Sequence, residues 1–262
     1  MRAPEVKEAL AALGVRAEKS RGQNFLVDDA VSEKEIDLLQ ATPADRVLEV
    51  GPGLGVLTLP MLARGLDVTA IEIETRFADR LHAISPELKV ITGDALDVPW
   101  PPFTHFISNL PYSISSPLLF KLLDHSFERA VVMVQKEFAD RMAGKAASDD
   151  YSRLSVGVYY RADCKVIAKV GRAHFWPEPD VDSSIVLLQR RPAPFKVEDE
   201  RLFFRLVDVL FAQRRKKIRT TLRSRHLIRA DEGIPYLDER VEDLTPEQIG
   251  ELADAVHLQK RS

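Results

Sequence analysis

Arg46-Val47-Leu48-Glu49-Val50-Gly51-Pro52-Gly53-Leu54-Gly55 decides how this chain folds. Arg46 to Val50 reads as a short buried strand, and the three glycines that follow make a tight turn in which backbone can approach a ligand closely. Val56 to Arg64 then places Leu57, Met61 and Leu62 on one side, the spacing of a helix. Asp67 to Glu74 supplies a second strand, so the segment predicts a βαβ unit. Glu72 stands about 20 residues beyond the turn, where such folds set a carboxylate against a ribose hydroxyl. A nicotinamide dinucleotide would favour G-x-G-x-x-G, but the last glycine position is Val56 and the third glycine is Gly55. A nucleoside lacking a pyrophosphate therefore ranks ahead of NAD.

Downstream, Lys89 to Thr92 is a third strand that delivers Gly93-Asp94-Ala95-Leu96 to the same edge. Asp94 can accept from an adenine amino group and the Ala95 main chain can donate to a ring nitrogen; the plainer reading of Asp94 is a cap on a short helix. Phe103 to Ser108 alternates as a fourth strand and ends in Asn109-Leu110-Pro111-Tyr112. These four residues suit an exocyclic amine on a planar ring: two carbonyl acceptors in Asn109 and Leu110, a stiff Pro111, and a Tyr112 face for stacking. Four residues alone equally describe a strand followed by a Pro-Tyr turn. Ile114 to Leu123 fits a helix capped at Ser115 or Ser116, with Pro117 in its first turn. Ala130 to Val134 has the unbroken apolar character of a central parallel strand. Val166 to Val170 and Ser184 to Leu188 read as a closing pair of strands, flanking the extended segment Phe175-Trp176-Pro177-Glu178-Pro179-Asp180-Val181-Asp182-Ser183. The fold class is α/β, with a doubly wound sheet.

Upstream, Pro4 to Leu13 reads as a short helix stopped by Gly14, and a second helix runs from a cap at Asp28 to about Gln40. Gly144 to Asp150 is small and polar, as expected of a mobile loop. Beyond Arg191-Pro192-Ala193-Pro194 the chain reads helical: Phe203, Leu206, Val207 and Leu210 share a face, and Thr245-Pro246-Glu247-Gln248 forms a capping box with Leu244 and Ile249 as its staple. This divides the chain at 1–192 and 193–262.

The 262 residues are 45% hydrophobic and 29% charged, values of a folded globular protein. The single cysteine, Cys164, excludes an internal disulfide, and the longest apolar run, 130–134, is far too short to span a bilayer. The acidic and basic N-terminal residues lack a signal core, so the expectation is cytoplasmic, with no membrane contact. Net charge is −3, yet no acidic residue falls between Asp208 and Asp231, where Arg214, Arg215, Lys216, Lys217, Arg219, Arg223, Arg225 and Arg229 lie. That block is either a phosphate-binding surface or a solvated helix face. No spacing of residues suggests a metal site.

Taken as a set, Gln23-Asn24-Phe25-Leu26, Glu49 with Gly51 to Gly55, Glu72, Gly93-Asp94-Ala95, Asn109 to Tyr112 and Phe175-x-Pro177-x-Pro179-x-Val181-Asp182-Ser183 resemble the ribosomal RNA adenine dimethyltransferases. Phe211-Ala212-Gln213-Arg214-Arg215-Lys216-Lys217 looks most like the bacterial small-subunit (16S) branch, associated with kasugamycin sensitivity. The resemblance implies a Rossmann-like class I methyltransferase sheet, mostly parallel with a closing antiparallel strand, followed by a small all-helical domain. It implies S-adenosylmethionine as cofactor and, as product, N6,N6-dimethyladenine at two adjacent adenines near the 3′ end of small-subunit rRNA, within an immature small subunit, by a monomer. By the same likeness Gln23, Asn24 and Leu26 border the cofactor, Gly51 and Gly53 hold its methionine part, Glu72 its ribose, and Asp94 and Ala95 its adenine. Asn109 lies between cofactor and amine, and Leu110, Pro111 and Tyr112 complete the amine pocket. Phe175 has two readings, a cover on the other face of the base or, more often for an aromatic beside prolines, plain packing. Arg214, Arg215, Lys217, Arg219 and Arg223 are the candidate RNA contacts. Large-subunit rRNA or DNA as substrate, and a ribosome-assembly factor with methylation secondary, remain as competing readings.

Overall fold

The computed structural model describes residues 1–15 and 24–261. In chain order its elements are α1 (Ala3–Ala12), β1 (Phe25–Leu26), α2 (Asp29–Leu39), β2 (Arg46–Val50), α3 (Thr58–Ala63), β3 (Asp67–Glu72), α4 (Thr75–Ile84), β4 (Lys89–Thr92), β5 (His105–Asn109), α5 (Ser115–Asp124), β6 (Arg129–Gln135), α6 (Lys136–Met142), α7 (Arg153–Arg161), β7 (Ala162–Val170), β8 (Phe175–Trp176), β9 (Ser183–Arg190), α8 (Glu200–Phe211), α9 (Ile218–Ser224) and α10 (Pro246–Arg261). They form two compact units, Met1–Ala139 with Cys164–Arg190, and Asp140–Asp163 with Arg191 onward. The second unit takes in 140–163 as well as the residues beyond the linker at 191–194, whereas the division expected from the sequence leaves 140–163 with the first.

The first unit is built on a sheet of order β4-β3-β2-β5-β6-β9-β7. The pairs among β4, β3, β2, β5 and β6 are parallel, and β9 runs antiparallel to β6 from Arg129↔Gln189 to Gln135↔Ser183. The chain winds from β2 outward to β4, then returns to lay β5 on the other side of β2. That reversal is the topological switch point at which open α/β sheets bind ligands. Central β6 is buried from Ala130 through Val134, which is why its sequence shows no alternation. Asp28 caps α2 as expected, accepting from the Ala30 and Val31 amides at 2.9 and 3.4 Å. The cap expected on α5 is absent: Ser115 Oγ instead donates to the Pro111 carbonyl at 3.1 Å, tying the helix to the tetrapeptide before it. A separate two-stranded ribbon pairs Phe25 with Trp176 and Leu26 with Phe175, joining motifs about 150 residues apart in the chain.

The second unit has its own core, in which Phe203, Leu206, Val207 and Leu210 of α8 meet Ile249, Leu252 and Val256 of α10 and Val156 of α7. The capping box at the start of α10 is reciprocal: the Thr245 amide donates to Gln248 Oε1 at 2.8 Å and the Gln248 amide to Thr245 Oγ1 at 3.3 Å. The stretch 144–150, expected as a mobile loop, is hydrogen-bonded into this unit. The Ala147 amide reaches the Glu242 carbonyl at 2.8 Å, and a Cβ on Gly144 would lie 2.7 Å from the Asp150 carbonyl oxygen.

Candidate active site

A cavity of about 480 Å³ lies at the carboxyl ends of β2 to β5. Glu49, Gly51 and Gly53 line it from β2 and the turn beyond, Glu72 from β3, Asp94 and Ala95 from the loop after β4, Asn109 and Pro111 from β5, and Asn24 and Leu26 from the ribbon side. Gly51 adopts φ +72° and Gly53 φ +54°, the left-handed region in which a Cβ is strained. A Cβ on Gly51 would sit 4.0 Å from Pro111 Cγ, so the glycine turn and the tetrapeptide are neighbours across the switch point.

Buried carboxyl groups dominate the electrostatics. Glu72 accepts from the Gly53 and Glu74 amides at 3.0 and 2.9 Å, yet burial still raises its pKa. Glu49 is 1% exposed and accepts from Thr58 Oγ1 at 2.7 Å. Burial pushes it up to about 8, with the nearby Glu72 charge acting in the same direction. Among the described residues no lysine, arginine or histidine lines the cavity. Burial disfavours the charged form of both carboxyls, and a positive ligand would favour it. Asn24 Oδ1 adds a buried acceptor to which no described residue donates. The donor set therefore fits a cationic nucleoside with hydroxyl and amine hydrogens to share.

Glu35 is fully buried on α2, beside Asn109. With its nitrogen toward Glu35, the Asn109 amide donates to Oε1 at 2.7 Å and Oε2 at 3.3 Å; in this orientation its oxygen meets donors. Burial raises the Glu35 pKa well above the ordinary range, the Asn109 bond opposes that rise, and the Glu49 charge adds to it.

The structure brings eight of the sequence-derived cofactor residues to one cavity: Asn24, Leu26, Gly51, Gly53, Glu72, Asp94, Ala95 and Asn109. Gln23 lies outside the described residues. Of the amine-pocket residues, Pro111 joins the wall but Leu110 and Tyr112 do not. Leu110 is buried, and its amide is held by the Met133 carbonyl at 3.0 Å. The Tyr112 hydroxyl sits 2.6 Å from Ser183 Oγ. Phe175 is 6% exposed and packs in the core with Leu26, Val170 and Ile185, its pairing with Leu26 setting both side chains on one face.

The basic segment differs from its expected open face. Arg223 makes a two-point contact with Asp231, at 3.0 Å from Nε and 2.6 Å from Nη2. Arg219 pairs with Asp231 and Asp238, Lys217 with Asp238, and Arg214 with Glu242 at 2.9 Å. The acidic residues that follow the block in sequence fold back onto it through the turn at 225–240. Of the five expected RNA contacts, Arg215 alone has no ion pair among the described residues; Lys216 beside it is also exposed and unpaired.

Two residues escaped the sequence reading. Glu35 had a signal, since it shares the buried face of α2 with Ser32, Ile36 and Leu39, where a charge is out of place. Lys121 had none; its three hydrogen bonds run to a loop more than 20 residues earlier.

The profile of the family described as "Ribosomal RNA adenine dimethylase" matches residues 14–256. A probable ribosomal RNA small subunit methyltransferase A from Methanothermobacter thermautotrophicus is 41% identical over 268 residues, covering 96% of this chain and 95% of that protein. Among solved structures, a dimethyladenosine transferase from Plasmodium falciparum superposes with a TM-score of 0.76 at 27% identity, over 87% of this chain and 95% of that one. The 23S rRNA methyltransferase ErmE superposes at 0.66 with 28% identity, over 89% of this chain and 100% of that one.

Proposed function

The chain belongs to the ribosomal RNA adenine dimethylase family, and from that premise we propose that it uses S-adenosylmethionine to methylate N6 of adenines in small-subunit rRNA. The observation that carries this reading is the meeting, at one cavity, of Asn109 with buried Glu49 and Glu72. Bound in that cavity, the cofactor supplies a methyl group on a sulfonium, a good leaving group. Glu72 holds its ribose hydroxyls, Glu49 and the amides of the glycine turn its methionine end, and Asp94 with Ala95 its adenine.

Asn109 Oδ1 and the Leu110 carbonyl accept the hydrogens of the target amine. The lone pair of that amine is delocalised into the ring, and two acceptors favour the pyramidal nitrogen needed for attack. Glu35 engages the amide nitrogen of Asn109, which commits the oxygen to the accepting role. Methylated nitrogen is cationic and strongly acidic, so it sheds a proton without a dedicated base; most of the rate comes from holding the partners in line. Tyr112, steadied by Ser183, offers its ring to the target base. Pro111 holds the turn rigid, while Phe175 supports the ribbon from the core.

In finer detail, the product is dimethyladenine at two adjacent adenines near the 3′ end of the RNA, made on immature small subunits by a monomeric enzyme. Residues 1–192 carry the cofactor chemistry, with 193–262 as the rRNA-binding part, to which 140–163 adds. Arg215 and Lys216 make the phosphate contacts, with Arg214, Lys217, Arg219 and Arg223 contributing where RNA displaces their acidic partners. Labelled methyl transfer to immature small subunits, with large subunits and duplex DNA alongside, tests the proposal. Label confined to small-subunit adenine N6 is expected. Label on large subunits, the substrate class in the name of ErmE, overturns the substrate, and no label on any of them overturns the activity.

A further inference from the structure

Lys121 stands on α5, outside the cavity wall, and its ammonium is committed entirely to one loop. Nζ donates to the carbonyls of Ala95 at 2.8 Å, Leu96 at 2.9 Å and Val98 at 2.8 Å, so all three of its hydrogens are used. Its Nζ also lies 5.3 Å from the Trp100 ring centre, and Trp100 Nε1 donates to the same Ala95 carbonyl at 2.8 Å. Three carbonyl dipoles aimed at one point repel each other unless a cation sits there. The loop is otherwise closed on itself: the Asp97 and Val98 amides reach the Asp94 carbonyl at 3.0 and 2.9 Å, and a Cβ on Gly93 would meet Val98 Cγ1 at 2.6 Å.

This arrangement determines which polar groups of the loop stay open to a ligand. The Ala95 carbonyl has both lone pairs occupied, by Lys121 and Trp100. The Ala95 amide donates to no described residue, and Asp94 spends only Oδ1, on the Leu96 amide at 2.8 Å. One donor and one acceptor remain, on two residues that line the cavity. That pattern matches the edge of adenine, which offers a ring-nitrogen acceptor and an amino donor. It opposes the edge of hypoxanthine, where the ring nitrogen donates and the exocyclic oxygen accepts.

We propose that Lys121 is the positioning residue that sets base discrimination in the cofactor site, acting through the carbonyls of 95, 96 and 98. The proposal rests on the reading that the cavity binds S-adenosylmethionine. Its test is calorimetric binding of S-adenosylhomocysteine and of S-inosylhomocysteine to the full chain and to Lys121→Met. The parent is expected to prefer the adenosyl compound by about 100-fold, and Lys121→Met by less than about 10-fold, with the loss on the adenosyl side. A merely structural role would lower the unfolding temperature and weaken both ligands alike, leaving the ratio intact, and that result overturns the proposal. A parent that binds both compounds equally removes the Asp94 and Ala95 assignment and the proposal with it, whereas a parent that binds neither removes the cofactor reading as well. Lys121→Gln keeps two N–H donors without the charge and is expected to give an intermediate ratio. Should Lys121→Met not fold, a parental ratio in Lys121→Gln refutes the role of the ammonium.

Discussion

Replacing Glu49 with Gln should alter how the stability of the protein depends on pH, in a direction that follows from burial. The ordinary carboxyl value of 4.5 rises to about 8 in the folded protein. Between those values the folded chain keeps a proton that the unfolded chain releases. At about 1.4 kcal/mol per pH unit, this is a contribution of about 5 kcal/mol, fully present below pH 4.5 and lost as pH rises through 8. Gln stays neutral throughout, so Glu49→Gln removes that slope. The Gln carbonyl oxygen can accept from Thr58 Oγ1 as Oε2 does now, but the buried NH₂ meets no acceptor among the described residues, a cost of about 1–3 kcal/mol at every pH. The variant is therefore expected to be less stable than the parent near pH 5 and more stable by about 2–4 kcal/mol near pH 9, the two curves crossing between. Urea unfolding followed by tryptophan fluorescence at pH 5, 6, 7, 8 and 9 measures this directly. Glu35 and Glu72 are raised by the same burial and leave slope in both proteins, so the difference between the curves is the quantity to read. Parallel curves would refute the reasoning. The same protonation couples to binding: a cationic ligand at pH 7 should expel the proton from Glu49. The binding enthalpy of the parent should then vary with the ionisation enthalpy of the buffer more than that of Glu49→Gln.

Two further outcomes are expected. Asn109→Ala removes the amide acceptor and should lower kcat by about 10²- to 10³-fold while binding of small-subunit rRNA stays within about threefold of the parent; a variant with parental kcat removes Asn109 from the chemistry. Arg215→Ala with Lys216→Ala should weaken binding to small-subunit rRNA and reduce the salt slope by about 1–2, whereas Arg219→Ala, whose guanidinium Asp231 and Asp238 already neutralise, should change the slope less. Equal effects from the two variants would show that RNA displaces the acidic partners freely.

The sequence by itself determined the sheet and the cofactor turn, because both are local. Strand-turn-helix order, the glycines at 51 and 53, and the carboxylate at 72 lie within 27 residues, and their spacing admits few other structures. The capping box at 245–248 and the Asp28 cap were equally legible, since each is a contact between residues two or three apart.

Tertiary structure decided whatever depended on distant partners. Pairing of Leu26 with Phe175, across about 150 residues, set the Phe175 ring among core residues. The return of Asp231, Asp238 and Glu242 onto the basic block drew half of it, Arg214, Lys217, Arg219 and Arg223, into ion pairs and left Arg215, Lys216, Arg225 and Arg229 exposed. Glu35 beneath Asn109, and Lys121 behind the Asp94 loop, act across separations of 74 and of 23 to 26 residues, respectively. The physical reason is common to all of these. Periodicity and turn chemistry are properties of neighbours along the chain, whereas the partner of a buried charge is chosen by which elements the sheet order brings together.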